Sequence, residues 1–128
     1  MIHTLVDDYN PKKRVRSVIY AFKGITHALL NEAHFRIQIL FTFLVIVLGF
    51  AYAISYEQWA ILSLSLGLLL AAEMVNTVVE NFMDFLIPEQ SEVVRIIKDL
   101  SAGFVLIIGV ATLLVVLLIF VPAIGLAL

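Results

Sequence analysis

The chain opens on a polar leader, Met1–Asn10, and then changes rhythm several times. From Lys12 to about Arg36, Val15, Val18, Ile19, Phe22, Ile25, Leu29 and Leu30 recur at spacings of mostly three and four, with Lys13, Arg16, Lys23, His27 and Asn31 between them. That spacing predicts an amphipathic helix over 12–36. Its basic residues suit a helix lying in the plane of anionic headgroups. Asn10 is placed to cap it and Pro11 to occupy its first turn.

Beyond Arg36 the charged positions vanish. Ile37–Tyr56 carries none and is about 20 residues long, enough to cross the hydrocarbon of a bilayer. Tyr52, Tyr56 and Trp59 mark its far end as an interfacial belt. A tight turn around Ser55–Gln58 leads back into a second span over 59–84, which acquires Glu73 and Glu80 on the way. A polar loop, Ile87–Arg95, follows, with Pro88 as helix breaker. A third span is predicted over 99–121, ended by Pro122. The pattern is that of one all-α membrane domain over residues 1–128: a surface helix followed by three transmembrane helices.

Composition agrees. Of the 128 residues 62% are hydrophobic, and the mean hydropathy is +1.08. Too few polar residues remain to cover a soluble globule. The absence of cysteine excludes disulfide, zinc-thiolate and nucleophilic-thiol chemistry. Asp7 and Asp8, with no apolar core after them, argue against a cleavable signal. The net charge of −2 matters less than its distribution. All Lys and Arg precede Ile37 or stand at Arg95 and Lys98. The positive-inside rule then places the N-terminus and the second loop in the cytoplasm and the C-terminus on the opposite side. No nucleic-acid partner is expected.

The candidate chemistry is a line of acids. Glu73 follows Leu68, Leu69, Leu70, Ala71 and Ala72 in a strongly apolar run. A carboxylate at the centre of a spanning helix costs about 2.5–3.5 kcal/mol, and less near the membrane edge, so it should face a bundle interior or a wet cavity. Glu73, Asn76, Glu80 and Asp84 fall within an arc of roughly 80° on a helix. Glu32 and the pair Lys98-Asp99 approach this stripe from the same cytoplasmic side. Glu32 and Glu80 suit Mg²⁺, which takes one or two carboxylates plus phosphate oxygens and water. Lys98, with Lys13 and Arg16, suits phosphate. Asp99 suits a nucleotide hydrogen bond or the orientation of Lys98. Glu73 lies where a lipid hydroxyl arrives, as a general base for its proton. Water-soluble ATP would meet the higher groups.

Simpler readings stand beside these. Glu32 is one turn from Arg36 and suited to a helical ion pair. Glu80 and Asp84 are also what a solvated helix end looks like. Glu73 alone is equally the mark of a small channel or proton-relay subunit. Thr42, Ser63 and Ser65 are expected to bond back to their own helices. His27 and His34 have no partner visible in the sequence. Gly49, Gly67 and Gly109 are expected to permit close helix packing.

At this point a resemblance enters. The run from Glu73 through Asn76, Thr77 and Glu80 to Asp84 resembles the E-x-x-N-[S/T]-x-[I/V]-E-x-x-x-D signature of the bacterial diacylglycerol and undecaprenol kinases. Lys98-Asp99-Leu100-Ser101-Ala102-Gly103 resembles their K-D-x-x-[A/S]-[A/G] segment, and Phe22-Lys23-Gly24 and Asn31-Glu32-Ala33 also match in place. The resemblance covers the chain from about Lys13 onward. It implies an ATP- and Mg²⁺-dependent lipid kinase of the bacterial inner membrane, assembled as a homotrimer with sites shared between subunits. It further implies that Glu73 is the base and that Glu80 and Glu32 hold the metal. Lys98, Asp99, Lys13, Tyr20, Glu89, Gln90 and Ser91 would contact ATP, and Asn76, Trp59 and Ala102 would lie near the lipid. Val78, Ile97 and Phe104 are bulkier than the family's usual residues there.

Overall fold

A computed structural model of the chain describes residues 11–87, 89 and 91–125. The expected cap at Asn10, the breaker Pro88 and the candidate ATP contact Gln90 lie outside the described residues. The fold is all-helical: α1 (Pro11–Asn31), α2 (Ala33–Ala51), α3 (Tyr56–Leu86) and α4 (Glu92–Gly125). The last three are long and apolar enough to cross a membrane.

Helix α1 ends at Asn31, earlier than periodicity alone suggests. Glu32 takes an extended backbone, φ −103° and ψ 115°, and becomes the N-cap residue of α2. The break separates α1 from α2, the first candidate span. Arg36 stabilises it: its Nη1 donates to the carbonyls of Leu30 at 2.9 Å and Leu29 at 3.4 Å. Those carbonyls belong to the last turn of α1, which has no helical donors of its own. The guanidinium serves the helix end, and the ion pair with Glu32 suggested by their spacing does not form.

The turn between α2 and α3 also sits earlier than hydropathy places it. Ser55 caps α3 through a capping box, accepting from the Gln58 amide while the Gln58 side chain accepts from the Ser55 amide. The Ser55 hydroxyl also donates to Glu57 at 2.7 Å, which holds that carboxyl below the usual range. The end of α2 is closed by Ile54 N–H donating to Gly49 O and Ala53 N–H to Phe50 O, a Schellman arrangement. It requires a left-handed residue, and the chain supplies Ala53, at φ 47°. Alanine is strained there where glycine is not. Ala53→Gly should therefore stabilise the protein by about 0.5–1 kcal/mol, read as a higher melting temperature in detergent.

Helices α3 and α4 pack most extensively, with α2 against α3 beside them. The core, formed by Val45, Ile54, Leu62, Leu66, Ile119 and Phe120, lies at the end near this turn. Trp59 packs there, its ring 4.9 Å from Phe50. A Cβ on Gly49 would stand 2.6 Å from Trp59 Cη2. Gly49→Ala should cost about 1–3 kcal/mol by overpacking, seen as a lower melting temperature. The other glycines expected to allow close packing behave differently. Gly109 has only ordinary contact with Leu69, and Gly67 has open space around it.

Polar groups inside the candidate spans behave in three ways. Ser65 bonds back to the Leu62 carbonyl. Thr42, expected to do the same, has a buried hydroxyl with no hydrogen-bond partner among the described residues. Thr112, 1% exposed, donates across to the Ser65 carbonyl of α3 at 3.2 Å, a direct link between α3 and α4. Pro122 does not end the helix, because α4 continues to Gly125. A proline inside a helix forfeits one hydrogen bond there.

Candidate functional site

The acids line up along one face of α3 at the end away from the aromatic core. Glu73 is 5% exposed and Asn76 is 8% exposed. Glu80 is half-buried and Asp84 exposed. The stripe therefore climbs from the packed interior to solvent, as its spacing predicts.

Each member has a partner that fixes it. Gln38 of α2 donates from Nε2 to Glu73 Oε2 at 2.7 Å. Asn76 Nδ2 donates to Glu80 Oε1 at 3.0 Å, one turn along the same helix. Lys98 of α4 donates to both Asp84 oxygens, at 2.8 and 3.0 Å. Sequence reasoning missed Gln38. Its one signal is that Gln38 and Thr42 are the hydrogen-bonding side chains of an otherwise apolar Ile37–Ala51.

The amides carry a further consequence. A carboxylate only accepts, so the nitrogens of Gln38 and Asn76 must face their acids. Their oxygens, Gln38 Oε1 and Asn76 Oδ1, are left buried with no hydrogen-bond partner among the described residues. Buried carbonyls without donors are costly.

The outer rim is an open cleft of about 460 Å³ between the end of α3 and the start of α4. Asp84, Glu89, Ser91, Arg95, Lys98 and Asp99 line it. Lys98 stands ahead of the third span. It is held above the ordinary lysine range chiefly by its hydrogen bond to Asp84, with partial desolvation opposing and the charges of Asp84 and Glu80 assisting. Arg95 bonds to Glu92 and, at 2.9 Å, to Asp99. Asp99 therefore orients Arg95 rather than Lys98. These rim pairs are largely solvent-exposed, so they add little to stability. Ser91 also caps α4, accepting from the Val94 amide at 3.2 Å.

The remaining candidates are dispersed. Glu32 is half-exposed at the α1–α2 break and makes no capping hydrogen bond. Lys13 and Tyr20 are exposed on α1, with Lys23 Nζ 5.7 Å from the Tyr20 ring centroid. His27, without a visible partner in the sequence, has Asn31 Nδ2 at 3.2 Å from its Nδ1. Ala102 is exposed one turn beyond Lys98. Trp59 is not brought to the acids. It lies about 20 Å from Glu73 along α3, packed in the aromatic end. Beside the stripe, about 100° round α3, an apolar groove of about 570 Å³ runs against α1 over Gly24, Ala28, Met74, Val78 and Phe82.

Three candidate spans whose buried seam ends in a ladder of acids and cations define a multi-pass membrane protein with a charged site at the edge of its spans. Comparison with known proteins supplies the chemistry. Residues 19–120 match the family model described as prokaryotic diacylglycerol kinase, and the chain belongs to that family. It is a lipid kinase, using ATP as phosphoryl donor. The chain is 28% identical over 107 residues to the undecaprenol kinase of Bacillus subtilis, covering 84% of this chain and 87% of that one. It is 29% identical over 97 residues to a diacylglycerol kinase of a Synechocystis species, covering 75% of this chain and 55% of that one.

Proposed function

We propose that this protein transfers the γ-phosphoryl group of Mg²⁺-ATP to the hydroxyl of diacylglycerol or undecaprenol, in the cytoplasmic leaflet of the bacterial inner membrane. The observation that carries this is the graded ladder on α3: a buried Glu73 at its deep end and an exposed Asp84–Lys98 pair at its shallow end. A lipid alcohol reaches the first without leaving the bilayer, and a nucleotide reaches the second without entering it. A proton-relay subunit has no need of the shallow half.

Glu73 takes the alcohol proton as the oxygen attacks the γ-phosphorus and the bond to ADP breaks. No covalent enzyme intermediate is involved. Lys98, released from Asp84, neutralises phosphate charge, while Asp99, Lys13, Tyr20, Glu89, Gln90 and Ser91 supply the nucleotide contacts. Asn76 fixes Glu80 and helps to place the lipid substrate. Trp59 and Ala102 border the lipid along its length.

The donor set fits Mg²⁺. Glu80 offers hard oxygens at the level of the phosphates, and the Glu32 carboxylate is not consumed by capping. No group of three metal-ligating side chains converges among the described residues, and Mg²⁺ needs only one or two carboxylates when phosphates supply the rest. When bound, the ion neutralises charge on the transferring phosphates.

The wide exposed apolar surface of α2 and α4 is compatible with assembly as a homotrimer that shares its sites between subunits. The distribution of Lys and Arg supports a cytoplasmic N-terminus and second loop and a C-terminus on the opposite side. The test is direct. Purified protein in bilayers is offered diacylglycerol and undecaprenol side by side with labelled ATP, and at least one must acquire the label. If neither does, the reading fails.

A further inference from the structure

We infer that Gln38 is a positioning residue for the general base, holding Glu73 in the orientation from which it takes the acceptor's proton. The inference rests on the assignment of Glu73 as base. Gln38 stands where an apolar side chain would cost less. The residue sits near the start of α2 in an apolar run, where a leucine would pack at no polar cost. Its Nε2 lies 2.7 Å from Glu73 Oε2, the short end of the range for a charge-assisted bond. Its Oε1 is buried and has no hydrogen-bond partner among the described residues. An amide kept only to knit α2 to α3 would do better with both ends satisfied. This one leaves its carbonyl unpaired to keep its donor on the acid.

The geometry also sorts the two oxygens of Glu73. Gln38 engages Oε2, so Oε1 is the oxygen left to accept the alcohol proton. Without the amide, the carboxylate is free to turn about its last torsion, which is broad for glutamate. Misplacement of a reacting group by about 1 Å can cost about 100-fold in rate. The donor comes from a different helix than the acid, so it also fixes the acid relative to α2.

The experiment is a double-mutant cycle on the full chain in bilayers. Gln38→Met keeps length and apolar fit but removes the donor. It should lower kcat about 10- to 100-fold, with the KM for ATP and the melting temperature nearly unchanged. Gln38→His retains an N–H donor and should recover most of the loss. In the Glu73→Gln background, Gln38→Met should reduce the residual rate no further, because the group it positions is already gone. Losses that multiply, or a Gln38→Met enzyme with normal kcat, would overturn the inference. If Gln38→Met does not fold, Gln38→Leu and the rescue by Gln38→His carry the test. A Glu73→Gln enzyme with normal turnover would instead remove the base assignment, a distinct result.

Discussion

Glu73→Gln should abolish lipid phosphorylation, lowering kcat by at least about 100-fold, while the protein stays folded. General-base catalysis by one positioned side chain is worth about 10²- to 10⁴-fold, and an amide cannot take a proton in its place. The fold should tolerate the change. Glu73 is 5% exposed, and a neutral amide is easier to bury than a carboxylate. Its oxygen still accepts from Gln38 Nε2. The measurement is lipid-dependent ATP consumption, run beside a melting curve with and without Mg²⁺-ATP. The nucleotide should still raise the melting temperature of the variant, since it binds at the shallow end of the ladder. A variant that consumed ATP at the normal rate would show that the proton leaves by another route.

The second large effect belongs to Glu80. Glu80→Gln keeps the hydrogen bond from Asn76, because the new side-chain oxygen accepts as the carboxylate did. What it loses is the charge and the hard anionic oxygens that Mg²⁺ prefers. With one of two carboxylates gone, the Mg²⁺ concentration giving half-maximal rate should rise by about tenfold or more. A titration of rate against Mg²⁺ at fixed ATP reads this directly. An unchanged curve would remove Glu80 from the metal site and leave it a member of the Asn76 hydrogen bond alone.

The legible and illegible parts of this molecule divide along a physical line. Hydropathy runs and helical spacing are local properties, and they reveal the spans and the arc from Glu73 to Asp84. The partners across helices are not local. Gln38 is a lone amide in an apolar run, and nothing in its neighbours announces Glu73. Lys98 and Asp99 are adjacent in sequence and invite pairing with each other, yet helix geometry sends adjacent residues apart. Lys98 turns to Asp84 and Asp99 to Arg95. The break at Glu32 was hidden for a similar reason. The residues around it favour helix, and the interruption shows only in the extended backbone of Glu32 itself. Ser55 and Gln58 did carry a readable capping signal, which the apolar pattern around Trp59 obscured.

The clasp of Arg36 on the end of α1 reaches further than the helix end it serves. Arg36 and Gln38 ride on a single turn of α2, so the group that grips the surface helix and the group that steadies the acid move as one rigid piece. A tilt of α1 against α2 would therefore displace Gln38 and, through its 2.7 Å hydrogen bond, the Glu73 side chain with it.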